Sequence, residues 1–419
     1  MAGKIKRRSL LLGAGSLALT QVMTACQLWQ SSPQFLVEFL AASIPAPLLK
    51  KFQAQIKEQA ILRLRPIAQL SDGTLLVQSE KALEEGSENP LQKLPFIGSR
   101  SSKAPITSDV VSLSDSWLQV AVQQQQLEPL SIADSSEWQT LPPAFQSLVT
   151  RDNQGFPDSN GNVWGAPYRW GHLMIAYRAD QLTKIGQSIT DWQDLWQDIF
   201  KGHISLLDSD RVVLGIVLKS LGKSINTIDL AAVSELESKL IALNSQVKFY
   251  SSDSYLQPLL LKDTWIAVGW STDILPLVRR DRRINAVVPE SGTILTADVW
   301  VKPVNASLSN EINSETSSTQ NNSANQGASP ESDDLNELVR QWIEFFWKPS
   351  VTAQLSLLSP GASPILLSSP REELPSALAN DSLLILSADI MNKSEFLEPL
   401  TEEVRKRYLR YWSNMRRSV

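Results

Sequence analysis

The sequence predicts an α/β protein of two lobes joined by crossing strands, and three observations lead there. Strand-like and helix-like patterns alternate along the first part of the chain, the mark of a parallel α/β sheet. The stretch 162–178 joins a Pro- and Gly-flanked group of aromatics, among them Trp164, Tyr168 and Trp170, to an apolar strand-like run from Leu173 to Tyr177. Pro fixes its own φ and Gly opens φ values closed to other residues, so such a strand suits a crossing from one globular lobe to another. The same residues would also make an ordinary buried strand. Behind an N-terminal export-like segment, about 390 residues remain, enough for two real cores.

The elements follow in order. Phe35 to Leu40 is a strand, and Pro45 and Pro47 open a helix over 48–57 with Leu48, Leu49 and Phe52 on one face. A second strand spans 60–67, and a helix with a polar loop fills 79–105. A third strand, 109–113, leads to Ser114, Asp115 and Ser116, which cap a helix over 117–125. After the crossing stretch come a short capped helix at 190–196 and a strand entering a loop at 200–208. Asp208, Ser209 and Asp210 cap a buried helix over 211–221, and 230–243 is amphipathic. Strands at 265–270, 284–288 and 294–301 precede a Ser-, Asn- and Glu-rich insert at 306–334 that lacks the apolar surface to order itself. A helix resumes at 335–347, and 397–417 is a basic amphipathic helix with Leu400, Val404, Tyr408 and Tyr411 as packing residues.

The N-terminus carries Lys4, Lys6, Arg7 and Arg8, then an apolar run over 9–19 that is too short to span a membrane. Val22, Met23, Thr24 and Ala25 lead to Cys26, a pattern that resembles a lipobox, at which cleavage leaves a lipid-modified Cys. Arg7 and Arg8 also resemble a twin-arginine signal, so the export route stays open. Cys26 is the only cysteine, which excludes an intramolecular disulfide. Loss of the four basic residues in 1–25 takes the net charge from −5 to −9, which argues against nucleic acid as a partner and favours a cationic ligand. The chain holds only His172 and His203, and no motif for zinc, phosphate or nucleophilic chemistry. With six Tyr and none adjacent, paired Tyr ligands for iron are also missing, so neither an enzyme nor a metal or cofactor site is expected.

The order of segments resembles the bacterial periplasmic spermidine/putrescine-binding family. Ile44, Pro45, Ala46, Pro47, Leu48, Leu49 and Phe52 carry the likeness first, then Asp109, Val110 and Val111, then 165–171. Trp192 to Trp196, Phe200, Lys201, Gly202, Ser205 to Asp208, Leu218 to Gly222, Gly269, Trp270, Pro289 to Gly292, Lys348 and Pro349 complete it. The resemblance implies a two-lobed periplasmic-binding-protein fold of type II, each lobe a mixed sheet flanked by helices, with ligand in the cleft between them. It also implies delivery of a small solute to the permease of an ABC importer, by a monomer on the periplasmic side of the inner membrane, held there by its lipid. The implied divisions are a signal peptide at 1–25, a tether at 26–33, lobe one at 35–170 with 296–363, and lobe two at 171–295 with 364–419. A solute-binding fold kept as an envelope sensor without transport is the other reading, and neighbouring permease genes would separate the two.

Family members hold polyamines with carboxylates at the amines and aromatics along the methylenes. A buried ammonium needs a carboxylate, and aromatic faces attract cations. Trp270 falls on a box aromatic and Asp298 on an amine-binding carboxylate, so the two are expected to face the cleft from opposite sides. Asp115 and Ser114, at a strand end, and Tyr168, Trp170, Asp208 and Ser209 complete the expected site. The chain departs from the pattern at Leu40, Ser43, Asp115 and Thr296, where aromatics are implied, at Gly361, where a Tyr is implied, and at Ser209 and Val212, where acids are implied.

Overall fold

The structure, a computed structural model, describes residues 33–68, 108–304 and 330–418. The export segment, Cys26, the 79–105 stretch and residues 306–329 of the polar insert lie outside the described residues. Strand β1 (Gln34–Leu40) turns Phe35, Val37 and Phe39 into the core, and it pairs in parallel with β2 (Ile61–Ile67) and β3 (Val110–Ser114). β2 is an edge strand among the described residues and carries Pro66, which lacks an N–H to donate. The helix Ala46–Ile56 buries Leu48, Phe52 and Ile56 against this sheet.

Short strands β4 (Leu127–Glu128), β5 (Thr150–Arg151) and β6 (Asn162–Val163) lead to β7 (Ala166–Arg178), thirteen residues long and buried at all but Tyr177. The second half of the sheet holds β8 (Ile204–Leu206), β9 (Val247–Tyr250), β10 (Ile266–Trp270) and β11 (Ile284–Val287). β12 (Ile294–Pro303) returns to the first half, and β13 (Glu395–Phe396) joins late in the chain. Hydrogen bonding runs in the order β2-β1-β3-β12-β7-β10-β8-β9. The N-terminal part of β7 pairs with β12 as far as His172, and Leu173 to Tyr177 pair with β10. One strand therefore belongs to both halves and crosses between them at Gly171 to Leu173. An isolated bridge also ties Trp170 to Ala362.

The crossing strand begins earlier than its apolar run suggests, at Ala166, and contains Pro167. Its pairing with β12 tolerates the Pro because the register shifts there: Asp298 faces Arg169 while Val299 faces Pro167, leaving Tyr168 as the extra residue of a bulge. The predicted helix 117–125 is a 3-10 turn, Asp115–Trp117, followed by the helix Leu118–Gln123. The predicted helix 230–243 is broken, with a 3-10 turn at Leu230–Ala232 and the helix Leu236–Gln246 starting after Glu235 in a left-handed conformation. The last helix is Glu402–Arg416 rather than 397–417, because Pro399 disfavours helix in the residue before it and Thr401 supplies the cap to Val404. The helix after the insert begins at Pro330, so 330–334 belong to it.

Seven of the thirteen Trp are buried among the described residues, consistent with a mainly structural use. Trp342 sits at the centre of one cluster, 4.8 Å from Phe52, 4.9 Å from Phe346, 5.2 Å from Trp300 and 6.2 Å from Phe35 by ring centroids. It joins the helix Pro330–Trp347 to both β1 and β12. The final helix packs on the helices Asp210–Ser220 and Leu236–Gln246, with Tyr408 buried and its hydroxyl donating to Thr227 O at 2.8 Å. Trp342→Ala should cost about 3–5 kcal/mol. Urea unfolding should show a lower midpoint at unchanged slope.

Candidate functional site

Strand chemistry at the crossover decides which side chains meet. Because of the bulge at Tyr168, successive residues of β7 serve different purposes. Tyr168 turns into the core, stacks on Trp300 at 4.1 Å and hydrogen-bonds Ser112 at 2.9 Å. Arg169 turns instead into a cleft between the two halves of the sheet. That cleft has a volume of about 280 Å³ and is lined by Ser114, Asp115, Arg169, Trp170, Trp270, Asp273, Thr296 and Asp298, with Leu40 and Leu397 at its margin.

Of the predicted site residues, the structure brings together Trp270, Asp298, Asp115, Ser114 and Trp170. Tyr168 is not among them, for the reason just given. Asp208 and Ser209 are also elsewhere. Ser209 is occupied as the N-cap of the helix Asp210–Ser220, accepting from Val212 N, and Asp208 borders a separate depression beside Trp412 and Arg416.

Asp298 does not wait unpaired for an amine. Arg169 Nε donates to its Oδ2 at 2.6 Å, and Nη2 forms an ion pair with the same oxygen. The two side chains are 5% and 14% exposed, so this is a largely desolvated pair. Burial alone would lower the pKa of Arg169, and the Asp298 carboxylate reverses that, so the guanidinium stays charged. Asp298→Asn removes the countercharge of this pair. It would strand a buried cation, and breaking such a pair costs about 3–5 kcal/mol.

Asp115 sits in the first turn after β3 without capping it. Its Oδ1 accepts instead from Thr296 Oγ1 at 2.9 Å and Ala297 N at 3.0 Å, tying the end of β3 to β12. Burial raises its pKa to about 6, against the pull of those hydrogen bonds and of Arg151. Asp273 is the third carboxylate, in the first turn of the helix Ser271–Arg280, and it accepts from Tyr255 Oη at 2.6 Å. Burial raises its pKa as well. The Tyr255 hydroxyl also accepts from Trp270 N at 3.1 Å, which fixes the end of β10 where the indole leaves it. This arrangement requires Gly269, since a Cβ there would lie 1.8 Å from the Tyr255 ring. His172 is buried at the crossover with its pKa pushed down to about 3 by burial, a neutral structural residue.

Arg169 and Asp273 are the site residues that sequence reasoning missed. Arg169 lies in the crossing stretch between Tyr168 and Trp170, and alternation along a strand places it on the face opposite Tyr168. Asp273 follows Trp270 by three positions, one helical turn.

Residues 106–313 match the model of a family described as bacterial extracellular solute-binding protein. Over that stretch this chain is similar to those proteins. Two curated relatives are the spermidine/putrescine-binding periplasmic protein of Escherichia coli K12, 29% identical over 150 residues, and the putrescine/cadaverine-binding protein of Pseudomonas aeruginosa, 26% identical over 166 residues. Each alignment covers 36% of this chain, and the chain spans 42% and 47% of the lengths of these two relatives. A spermidine/putrescine ABC transporter substrate-binding protein of Streptococcus pneumoniae superposes with a TM-score of 0.68 at 20% identity, over 92% of this chain and 99% of that one. A lipoprotein of Treponema pallidum superposes with a TM-score of 0.60 at 15% identity, over 91% and 99%. The fold is the two-lobed one of periplasmic binding proteins, and the cleft described above lies between the lobes.

The upward shift of Asp115 sets the sign of a stability change. Between the unfolded value of 3.8 and the folded value of about 6, the folded state keeps a proton that the unfolded chain releases. Stability therefore falls as pH rises through that window and is level above it. Asp115→Asn keeps an oxygen acceptor for Thr296 and Ala297 and removes the charge. It should gain on the order of 2 kcal/mol over wild type at alkaline pH and nothing at pH ~4, read from melting curves at both. A variant that melts below wild type at alkaline pH would show that Arg151 outweighs the cost of burial.

Proposed function

We propose that this protein is the substrate-binding component of an ABC importer and captures a small amine-bearing solute in its interlobe cleft. The observation that carries this reading is the meeting of Asp115, Asp273 and Asp298 with the face of Trp270 in one cleft at the crossover. Carboxylates in a dry site favour an ammonium, and an indole face adds cation–π attraction and cover for methylenes. The relatives named for polyamines support the same class of solute. The lobes would close on the ligand by bending about β7, β12 and the 361–363 connection, and a permease would read the closed form.

Trp270 is half-buried and ends a strand, so Trp270→Ala should leave the melting curve nearly unchanged. It should weaken amine binding at least tenfold in calorimetric titration, equivalent to about 1.4 kcal/mol. Affinity for an amine should also rise with pH through about 6, as Asp115 ionises. Binding that is indifferent to both changes would place the ligand elsewhere.

The proposal extends to the export segment. Thr24, Ala25 and Cys26 after a short apolar run support cleavage before Cys26 and lipid attachment there, on the periplasmic side of the inner membrane. No helix among the described residues is long and apolar enough to cross a membrane. Cys26→Ser should move the protein from the membrane fraction to the soluble fraction. A wild-type protein that already fractionates as soluble would exclude the anchor.

A further inference from the structure

The cleft lacks aromatics at positions 361 and 296, where the resemblance implies them. Position 361, where a Tyr is implied, is Gly, and a Cβ there would come within 2.6 Å of Arg169 Cγ and 2.8 Å of its Cδ. The stem of Arg169 thus lies directly against the Gly361 backbone. Thr296, where a Trp is implied, uses its hydroxyl on Asp115. Two flat faces have been replaced by a cation and a hydroxyl.

The pairing of Arg169 leaves capacity on both partners. Nε and Nη2 share Asp298 Oδ2, while Nη1 of Arg169 and Oδ1 of Asp298 have no hydrogen-bond partner among the described residues. Neither atom is among the sealed, unpaired polar atoms of the interior, and both residues line the cleft. On Asp115, the recorded hydrogen bonds all fall on Oδ1, so its Oδ2 is likewise open. The cleft therefore presents a free guanidinium edge as well as free carboxylate oxygens.

We infer that the solute is an amino carboxylate, its ammonium held by Asp115 beside Trp270 and its carboxylate on the free edge of Arg169. The inference rests on the solute-binding reading above and narrows its ligand class. A guanidinium is a planar fork of donors that matches a carboxylate. A diamine of similar length would set its second ammonium against the Arg169 cation, and like charges repel more strongly where water is excluded. An amino carboxylate meets Asp115 at one end and, at the other, the Arg169 Nη1 that Asp298 does not occupy.

The test is calorimetric titration of the full chain at neutral pH with 4-aminobutanoate, 5-aminopentanoate and putrescine. One of the amino carboxylates should bind at least ~10-fold more tightly than putrescine. The double variant Arg169→Gln with Asp298→Asn removes the pair together and avoids a lone buried charge. It should lose that preference, with melting curves showing that it is folded. A double variant that keeps the preference overturns the inference. Should the double variant fail to fold, the wild-type comparison decides alone. Putrescine bound as tightly as either amino carboxylate by wild type overturns the inference and leaves the amine-solute reading standing. Binding of none of the three overturns both.

Discussion

The pairing of β7 with β12 is the constraint on which the rest of the molecule depends. Both strands pass near the boundary of the two sheet halves, and their antiparallel register fixes where each residue lies relative to the cleft. A bulge at Tyr168 lets Pro167 sit in the ladder and separates the fates of neighbouring side chains. Tyr168 completes an aromatic core with Trp300, while Arg169 is delivered to the cleft opposite Asp298. A simple register without the extra residue would exchange inward and outward faces along the strand.

The cleft is polar but largely satisfied from within. Asp115 bonds to Thr296 and Ala297, Asp273 to Tyr255, and Asp298 to Arg169. Each carboxylate comes from a different element, so these bonds also hold the crossover region together. Such a network keeps charges in a desolvated place without isolating any of them. A ligand has to use the remaining oxygens and donors, and selectivity then follows from which of them stay open rather than from the number of charges present.

Much of the scaffold was readable in the residues. The alternation of Phe35, Val37 and Phe39, the Pro-opened helix after them, and the apolar run from Leu173 each follow from period and turn chemistry. Trp270 and Asp115 were readable as strand-end residues, and the cleft receives both. Tyr168, Asp208 and Ser209 were misplaced for identifiable reasons. A bulge has no signature in hydrophobic pattern, and a Ser before a helix serves its cap before it serves a ligand. The Arg169–Asp298 pair was hidden because its partners are separated by 129 positions, and only strand register brings them together.

The last-joining strand carries a consequence for how the chain reaches this structure. Glu395 N donates to Thr293 O, Lys219 Nζ reaches Lys393 O across 174 positions, and Phe396 packs on Phe145 at 5.1 Å. Trp347 Nε1 closes on Pro167 O across 180 positions. The first half of the sheet is not made from one continuous run of sequence, since β13 and the helix Pro330–Trp347 join it from beyond β12. Contacts this remote in sequence demand that long loops close before they yield stabilisation, which slows folding. The polypeptide must therefore persist for some time as an incompletely paired chain whose aromatic surfaces are not yet covered.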